Sequence, residues 1–280
     1  MPPGDVMITA IASPFDALMN TLHWQVHAGN GPYLLLVHGF LSSRAQWTLN
    51  LQALAEVCQP VTVELWGHGR SPEATALCDY TPDSYLRQFE VIRSALGAQQ
   101  WLLCGQSLGA ALTLRYALTY PQYVIGQVFT NSNSALATEE MIEQRKHDAK
   151  AAIADIRERG LAAVEALRVH PRHAKRLPES AHTELLADAA LINPQAIANS
   201  YEALNPIASV RPQVRNLTVP TAMAVGVYEK RFTLHREFAE REIPALTTWE
   251  LEAGHAVNIQ DADQFNRLVP AFFQSCLADL

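Results

Sequence analysis

Short, almost wholly apolar runs recur along the chain at Leu34 to Val37, Val61 to Leu65, Trp101 to Cys104, Val124 to Phe129, Ala222 to Val227 and Thr247 to Leu251. Most lack the alternation of a half-exposed strand, so they predict parallel strands buried on both faces. The longer mixed stretches between them predict crossover helices. The runs end in small or polar clusters: His38-Gly39, Trp66-Gly67-His68-Gly69, Gly105-Gln106-Ser107, Asn131-Ser132, Tyr228-Glu229 and Ala253-Gly254-His255. In an open parallel sheet the ligand site lies beyond the carboxyl ends of the strands, so these clusters should converge on one site. The expected fold is α/β, with a mostly parallel central sheet flanked by helices.

The rhythm breaks once. Between Phe129 and Ala222 no convincing strand intervenes, a gap too long for a structureless loop in a compact domain. Ser134 to Gly160 is rich in Ala, Glu, Lys, Arg, Ile and Gln, all good helix formers, and Pro171, Pro178, Pro194 and Pro206 punctuate the stretch beyond Gly160. We read residues 134–210 as a helical cap inserted after the sixth strand, with 1–133 and 211–280 forming the core. No internal repeat or low-complexity tract is visible.

With 280 residues, 49% of them hydrophobic, the chain can bury one large core and a cap. The net charge of -7, with both signs dispersed, offers no basic stripe and argues against nucleic acid as a partner. Cys58, Cys78, Cys104 and Cys276 lie far apart, which suggests neither zinc ligation nor a disulfide framework and fits a reducing, cytoplasmic setting. Met1 to Asn20 carries no Lys or Arg and is broken at Ser13-Pro14, unlike a signal peptide. No apolar run approaches the ~20 residues of a membrane span.

Gly105-Gln106-Ser107-Leu108-Gly109 fits G-x-S-x-G, directly after one strand-like run and directly before the helix-forming stretch Leu108 to Thr119. A serine between two glycines can be a mere tight turn. The strand–turn–helix context instead presents its hydroxyl over the sheet edge, next to the positive end of a helix. Ser107 is therefore the candidate nucleophile. A tetrahedral oxyanion needs two preorganised N–H donors, one of them from the residue after the nucleophile, Leu108. The second is assigned to Phe40, in the loop after the Leu34 to Val37 run, where His38 reads as structural.

Among ten histidines, chain order selects the base, because behind such an elbow the order runs Ser, acid, His. His255 follows the last strand-like run. His147, His170, His173 and His182 fall in the cap, and His235 in a helical stretch. The orienting acid belongs in the loop after the penultimate run, which makes Glu229 the choice. A surface salt bridge to Lys230 or Arg231 is its bland alternative. Glu252 lies on the strand leading to His255, and Asp261 and Asp263 read as the start of the closing helix. Phe40, Gln106 and Met141 are the expected substrate-binding residues, although Met141 and Ile142 could simply anchor a cap helix.

With these residues placed, the chain resembles the α/β-hydrolase superfamily over nearly its whole length, and within it the MenH-like branch. The resemblance rests on five motifs in order: His38-Gly39-Phe40-Leu41, Trp66-Gly67-His68-Gly69-Arg70-Ser71, Gly105-Gln106-Ser107-Leu108-Gly109, Gly226-Val227-Tyr228-Glu229-Lys230-Arg231-Phe232 and Ala253-Gly254-His255. Relatives of this branch usually carry Asp where Glu229 stands. The menaquinone-pathway enzyme has an Arg one helical turn after its serine, where this chain has Ala111, which argues against that enzyme's own activity. Epoxide hydrolases and haloalkane dehalogenases share the fold but use an aspartate nucleophile, which Ser107 excludes.

The resemblance implies a serine hydrolase that cleaves a carboxylic ester or thioester through a Ser107-Glu229-His255 triad and an acyl-enzyme. This chemistry calls for no metal and no organic cofactor. The expected partner is a small-molecule acyl substrate, with a homodimer as the candidate assembly. A lyase or carbon–carbon bond hydrolase could use the same triad for proton transfer, and the fold also hosts binding proteins without turnover. A basic cluster in the cap, Arg168, His170, Arg172, His173, Lys175 and Arg176, is either a solvated face or a receiver for an anionic substrate.

Overall fold

The computed structural model describes residues 21–174 and 176–280. The N-terminal stretch Met1 to Asn20 and Lys175 of the basic cluster lie outside them. Seven strands form one sheet: β1 (Trp24–Val26), β2 (Tyr33–Val37), β3 (Gln59–Val63), β4 (Trp101–Gly105), β5 (Val124–Thr130), β6 (Thr221–Gly226) and β7 (Thr247–Leu251). Their order is β1-β3-β2-β4-β5-β6-β7. Among the described residues, only the β1–β3 pairing is antiparallel.

The six apolar runs correspond to the six parallel strands. β1 gave no such signal, because it is three residues long and half exposed. β3 begins two residues earlier than its apolar run, since Gln59 and Pro60 already pair with Tyr33 and Leu34. β4, β5 and β6 are buried at every position, as strands covered on both faces must be.

Side chains alternate across the sheet, so each strand feeds two cores. Beyond the one-turn α1 (Leu51–Leu54), Leu35, Val37, Trp101 and Leu103 join Phe89 and Tyr116 from α2 (Pro82–Ala95) and α3 (Leu108–Thr119). Leu34, Leu36, Leu102 and Cys104 pack on the other face with Phe265, Val269 and Phe273 of the amphipathic C-terminal helix (Ala262–Ala278).

Between β5 and β6 the chain leaves the sheet for four helices: α4 (Glu139–Arg159), α5 (Leu161–Ala166), α6 (Glu179–Ala189) and α7 (Pro194–Ala203). This is the helical cap. Among the described residues it follows the fifth strand, not the sixth, since β1 and four parallel strands are all that precede it. α4 starts where the Thr138 side chain accepts from the Met141 N–H, with Glu139 and Glu140 in the first turn, and it ends at Gly160 at φ +59°. The two ends of the insertion are tied together, because the Val210 N–H donates to the Ala135 carbonyl and the Arg211 guanidinium to that of Leu136.

The cap also docks on the core. The Asn193 N–H donates to the Gly67 carbonyl, and Arg70 pairs with buried Glu64 of the core at 3.3 Å and with Asp188 of α6 at 2.9 Å. Ile156, Val164 and Ile197 of the cap close around Leu41 of the core. No helix among the described residues is long and apolar enough to cross a membrane.

Candidate active site

Ser107 stands at the junction of β4 and α3 at φ +53° and ψ -112°, a conformation that costs a non-glycine residue on the order of 1–3 kcal/mol. The surroundings enforce it. A Cβ on Gly109 would run into the Val37 carbonyl, and one on Gly105 into Thr113 and the Gly109 carbonyl, so only glycine lets the elbow close this tightly. The Gln106 N–H donates to the Val37 carbonyl at 2.9 Å, and Ser132 Oγ donates to the Ser107 carbonyl at 2.5 Å.

His255 follows β7 through Ala253-Gly254, and the Gly254 N–H is held by Gln260 Oε1 at 2.8 Å. Its Nδ1 lies 2.9 Å from Glu229 Oε2. Glu229 sits in the turn after β6 with its side chain 16% exposed. The same carboxylate oxygen accepts from Asn131 Nδ2 at 2.7 Å, while Asn131 Oδ1 accepts the Gly226 N–H at 3.0 Å. Burial alone would raise the Glu229 carboxyl. The hydrogen bond and charge of His255, the Asn131 amide and the charge of Arg231 outweigh it and hold the group below the usual carboxylate range.

The competing groups are engaged elsewhere. Glu252 accepts from the Tyr228 hydroxyl, Asp261 accepts the Glu252 N–H at 2.9 Å, and Asp263 lies in the first turn of the C-terminal helix. Neither Lys230 nor Arg231 forms an ion pair with Glu229 among the described residues.

Ser107, Glu229 and His255 line one cavity of about 710 Å³, together with Phe40, Gln106 and Leu108. No hydrogen bond joins Ser107 to His255 among the described residues, and His255, half exposed, lines the cavity. Catalytic contacts are often loose without substrate and tighten in the complex. The backbone N–H groups of Phe40 and Leu108 have no acceptor within the described protein. Leu108 opens α3, where the first N–H groups of a helix are unpaired by construction.

Met141 does not line this cavity. It lies in the first turn of α4, where its N–H meets the Thr138 side chain. Tyr201 of α7 does line it and packs edge-on against Phe40 at 5.0 Å between ring centroids. Tyr201 and Asn131 were missed as site residues. Asn131 stood in one of the strand-end clusters and was detectable by position alone, whereas nothing in the cap sequence singled out Tyr201.

The cap cluster divides. Arg168, His170, His173 and Arg176 line the cavity, joined by Arg231, while Arg172 is bound to Glu165 at 2.8 Å away from it. Arg168, Arg176 and Arg231 form no ion pair among the described residues. Nor do these residues contain a group of three or more His, Cys, Asp or Glu side chains able to hold a metal ion.

A family model described as the alpha/beta hydrolase fold matches residues 32–202. The chain belongs to this family. Its fold is similar to that of MenH from S. aureus, at 17% identity and a TM-score of 0.79 over 91% of this chain and 99% of that one. A Bacillus subtilis protein that carries the name of a 2-succinyl-6-hydroxy-2,4-cyclohexadiene-1-carboxylate synthase is 24% identical over 86% of this chain and 90% of its own length. An uncharacterized Mycobacterium tuberculosis protein is 31% identical over 97 residues, and there the chain spans only 28% of the relative's length. The expectation of a hydrolase-type enzyme is carried by this membership.

Proposed function

We propose that the protein is a serine hydrolase that cleaves a carboxylic ester or thioester through an acyl-enzyme. The observation that carries this reading is the Glu229–His255 hydrogen bond of 2.9 Å at the rim of the cavity into which the elbow presents Ser107. In the reaction, His255 Nε2 takes the Ser107 proton as Oγ attacks the substrate carbonyl. The Phe40 and Leu108 N–H groups receive the oxyanion. His255 then delivers its proton to the departing alcohol or thiol, and takes one from the water that releases the acid. Throughout, the Glu229 carboxylate accepts from Nδ1–H, holding the tautomer and stabilising the imidazolium.

A lyase would use the same groups, and the name of the Bacillus subtilis relative points that way. Against it stands Ala111, buried in the core at the position where the menaquinone-pathway enzyme has its arginine. The unpaired Arg168, Arg176 and Arg231 along the cavity favour an acyl substrate bearing an anionic group.

Turnover across a panel of neutral and anionic esters and thioesters, with Ser107→Ala as control, tests both points. Release of the free acid, lost in Ser107→Ala, supports hydrolysis, while an unsaturated product without acid release would support the lyase. Arg176→Glu should raise KM for anionic members only, and an unchanged KM would return the cluster to a solvated face.

A further inference from the structure

We propose that His38 and His68 form a crossed brace that aims the Phe40 N–H at the developing oxyanion, which makes both of them positioning residues. The inference rests on the hydrolase reading above. His38, at the end of β2, reaches the loop after β3, where its Nε2 accepts the Leu65 N–H at 3.0 Å. His68, in the loop after β3, reaches back, and its Nε2 accepts the Leu41 N–H at 3.1 Å. The two rings stand 5.3 Å apart. With Nε2 accepting, each ring carries its proton on Nδ1, which donates to the Gly39 carbonyl at 2.7 Å in His38 and to the Trp66 carbonyl at 2.9 Å in His68.

The bond to Gly39 is the one with a chemical consequence. The Gly39 carbonyl and the Phe40 N–H belong to one planar trans peptide and point in opposite directions. The carbonyl is held from two sides, by His38 Nδ1–H at 2.7 Å and by the Ser42 N–H at 3.1 Å, so the N–H is turned the other way. That peptide lies against the nucleophile, since a Cβ on Gly39 would stand 3.0 Å from the Ser107 Cβ.

The residue after Phe40 needs restraint as well. Leu41 lies at φ +58°, a strained conformation for a branched side chain, and its N–H is the group His68 holds. Phe40 itself packs edge-on against the His68 ring at 5.7 Å. Burial drives both imidazoles far below their ordinary value, His38 to about 3, with His68 nearby adding to the effect, and His68 to about 4. Both rings are therefore neutral at physiological pH, and each can donate and accept at once.

The test compares His38→Leu and His68→Leu, which remove the ring contacts, with His38→Asn and His68→Gln, whose amides can replace the Nδ1–H donor and the Nε2 acceptor. The rate of Ser107 phosphonylation by a fluorophosphonate is measured alongside kcat and KM for a neutral ester. Each leucine variant should lose about tenfold to a hundredfold in phosphonylation and in kcat, with KM within about twofold, as expected for a displaced oxyanion donor. The amide variants should recover most of that loss. Leucine variants at the wild-type rate, losses confined to KM, or amide variants as slow as leucine would overturn the brace. Should a leucine variant fail to fold, the amide variants decide, since they must keep at least about a tenth of the wild-type rate. A wild-type protein that is not phosphonylated at all would overturn the hydrolase reading itself, and the brace with it, which separates the two failures.

Discussion

Glu229 is the residue on which the triad reading turns, because relatives of the MenH-like branch usually place an aspartate there. The longer side chain reaches His255 at 2.9 Å with help from Asn131, which is wholly buried and spends both ends of its amide holding the Glu229 turn. Glu229→Gln removes the charge that stabilises the imidazolium and can present the wrong hydrogen-bonding partner to Nδ1. It should lower kcat by about 10²–10⁴-fold with the fold retained; near-normal turnover would move the acid elsewhere. The same substitution should change the acid stability profile. Glu229 binds its proton less tightly folded than unfolded, so its contribution is complete above the ordinary carboxylate value of about 4.3 and is lost as pH falls through the lower folded value. The wild-type Tm should fall through that window more steeply than that of Glu229→Gln, and identical acid profiles would contradict the coupling. The proposal of Ser107, Glu229 and His255 can be made from the sequence because chain order and strand ends restrict where such residues can stand. Asn131 was less so, since an amide at a strand end looks the same whether it caps a turn or holds an acid.

The elements were readable wherever burial on both faces left an uninterrupted apolar run. β4, β5 and β6 are of this kind, whereas β1, an edge strand of three half-exposed residues, left no trace. The C-terminal helix shows what such patterning is worth. Phe273 is fully buried beneath the sheet with Phe265 and Val269, far from Ser107 in the sequence and on the face opposite α3. Phe273→Ala should destabilise the fold by about 3–5 kcal/mol in urea titration while leaving the active-site arrangement intact in the folded fraction. A loss below about 1 kcal/mol would mean that this helix is not the cover of that core. The cap helices were harder to place. Composition announced helix, but which faces meet the cavity depends on docking, through Arg70 between Glu64 and Asp188 and through the Asn193–Gly67 bond. Met141 illustrates the point, as a first-turn residue of α4 that lies outside the cavity lining.

At the scale of the whole molecule, a chain of net charge -7 places Arg168, Arg176 and Arg231, which form no ion pair among the described residues, along one cavity. Three arginines against the single carboxylate of Glu229 leave an excess of positive charge in the lining, and low-dielectric walls focus such a field, the basis for proposing an anionic substrate despite the overall negative charge. The sequence displayed the cluster as a run, and only the fold separates Arg168 and Arg176, at the cavity, from Arg172, paired with Glu165. The central claim is narrower than substrate choice: the elbow, the base and the oxyanion donors together make Ser107 a nucleophile. Active-site labelling with a fluorophosphonate, read by mass spectrometry, tests it most directly. The expected result is a single phosphonyl adduct on Ser107 that disappears in Ser107→Ala and slows strongly in a His255→Ala variant. Wild-type protein that stays unlabelled, or an adduct on another residue, would contradict the claim.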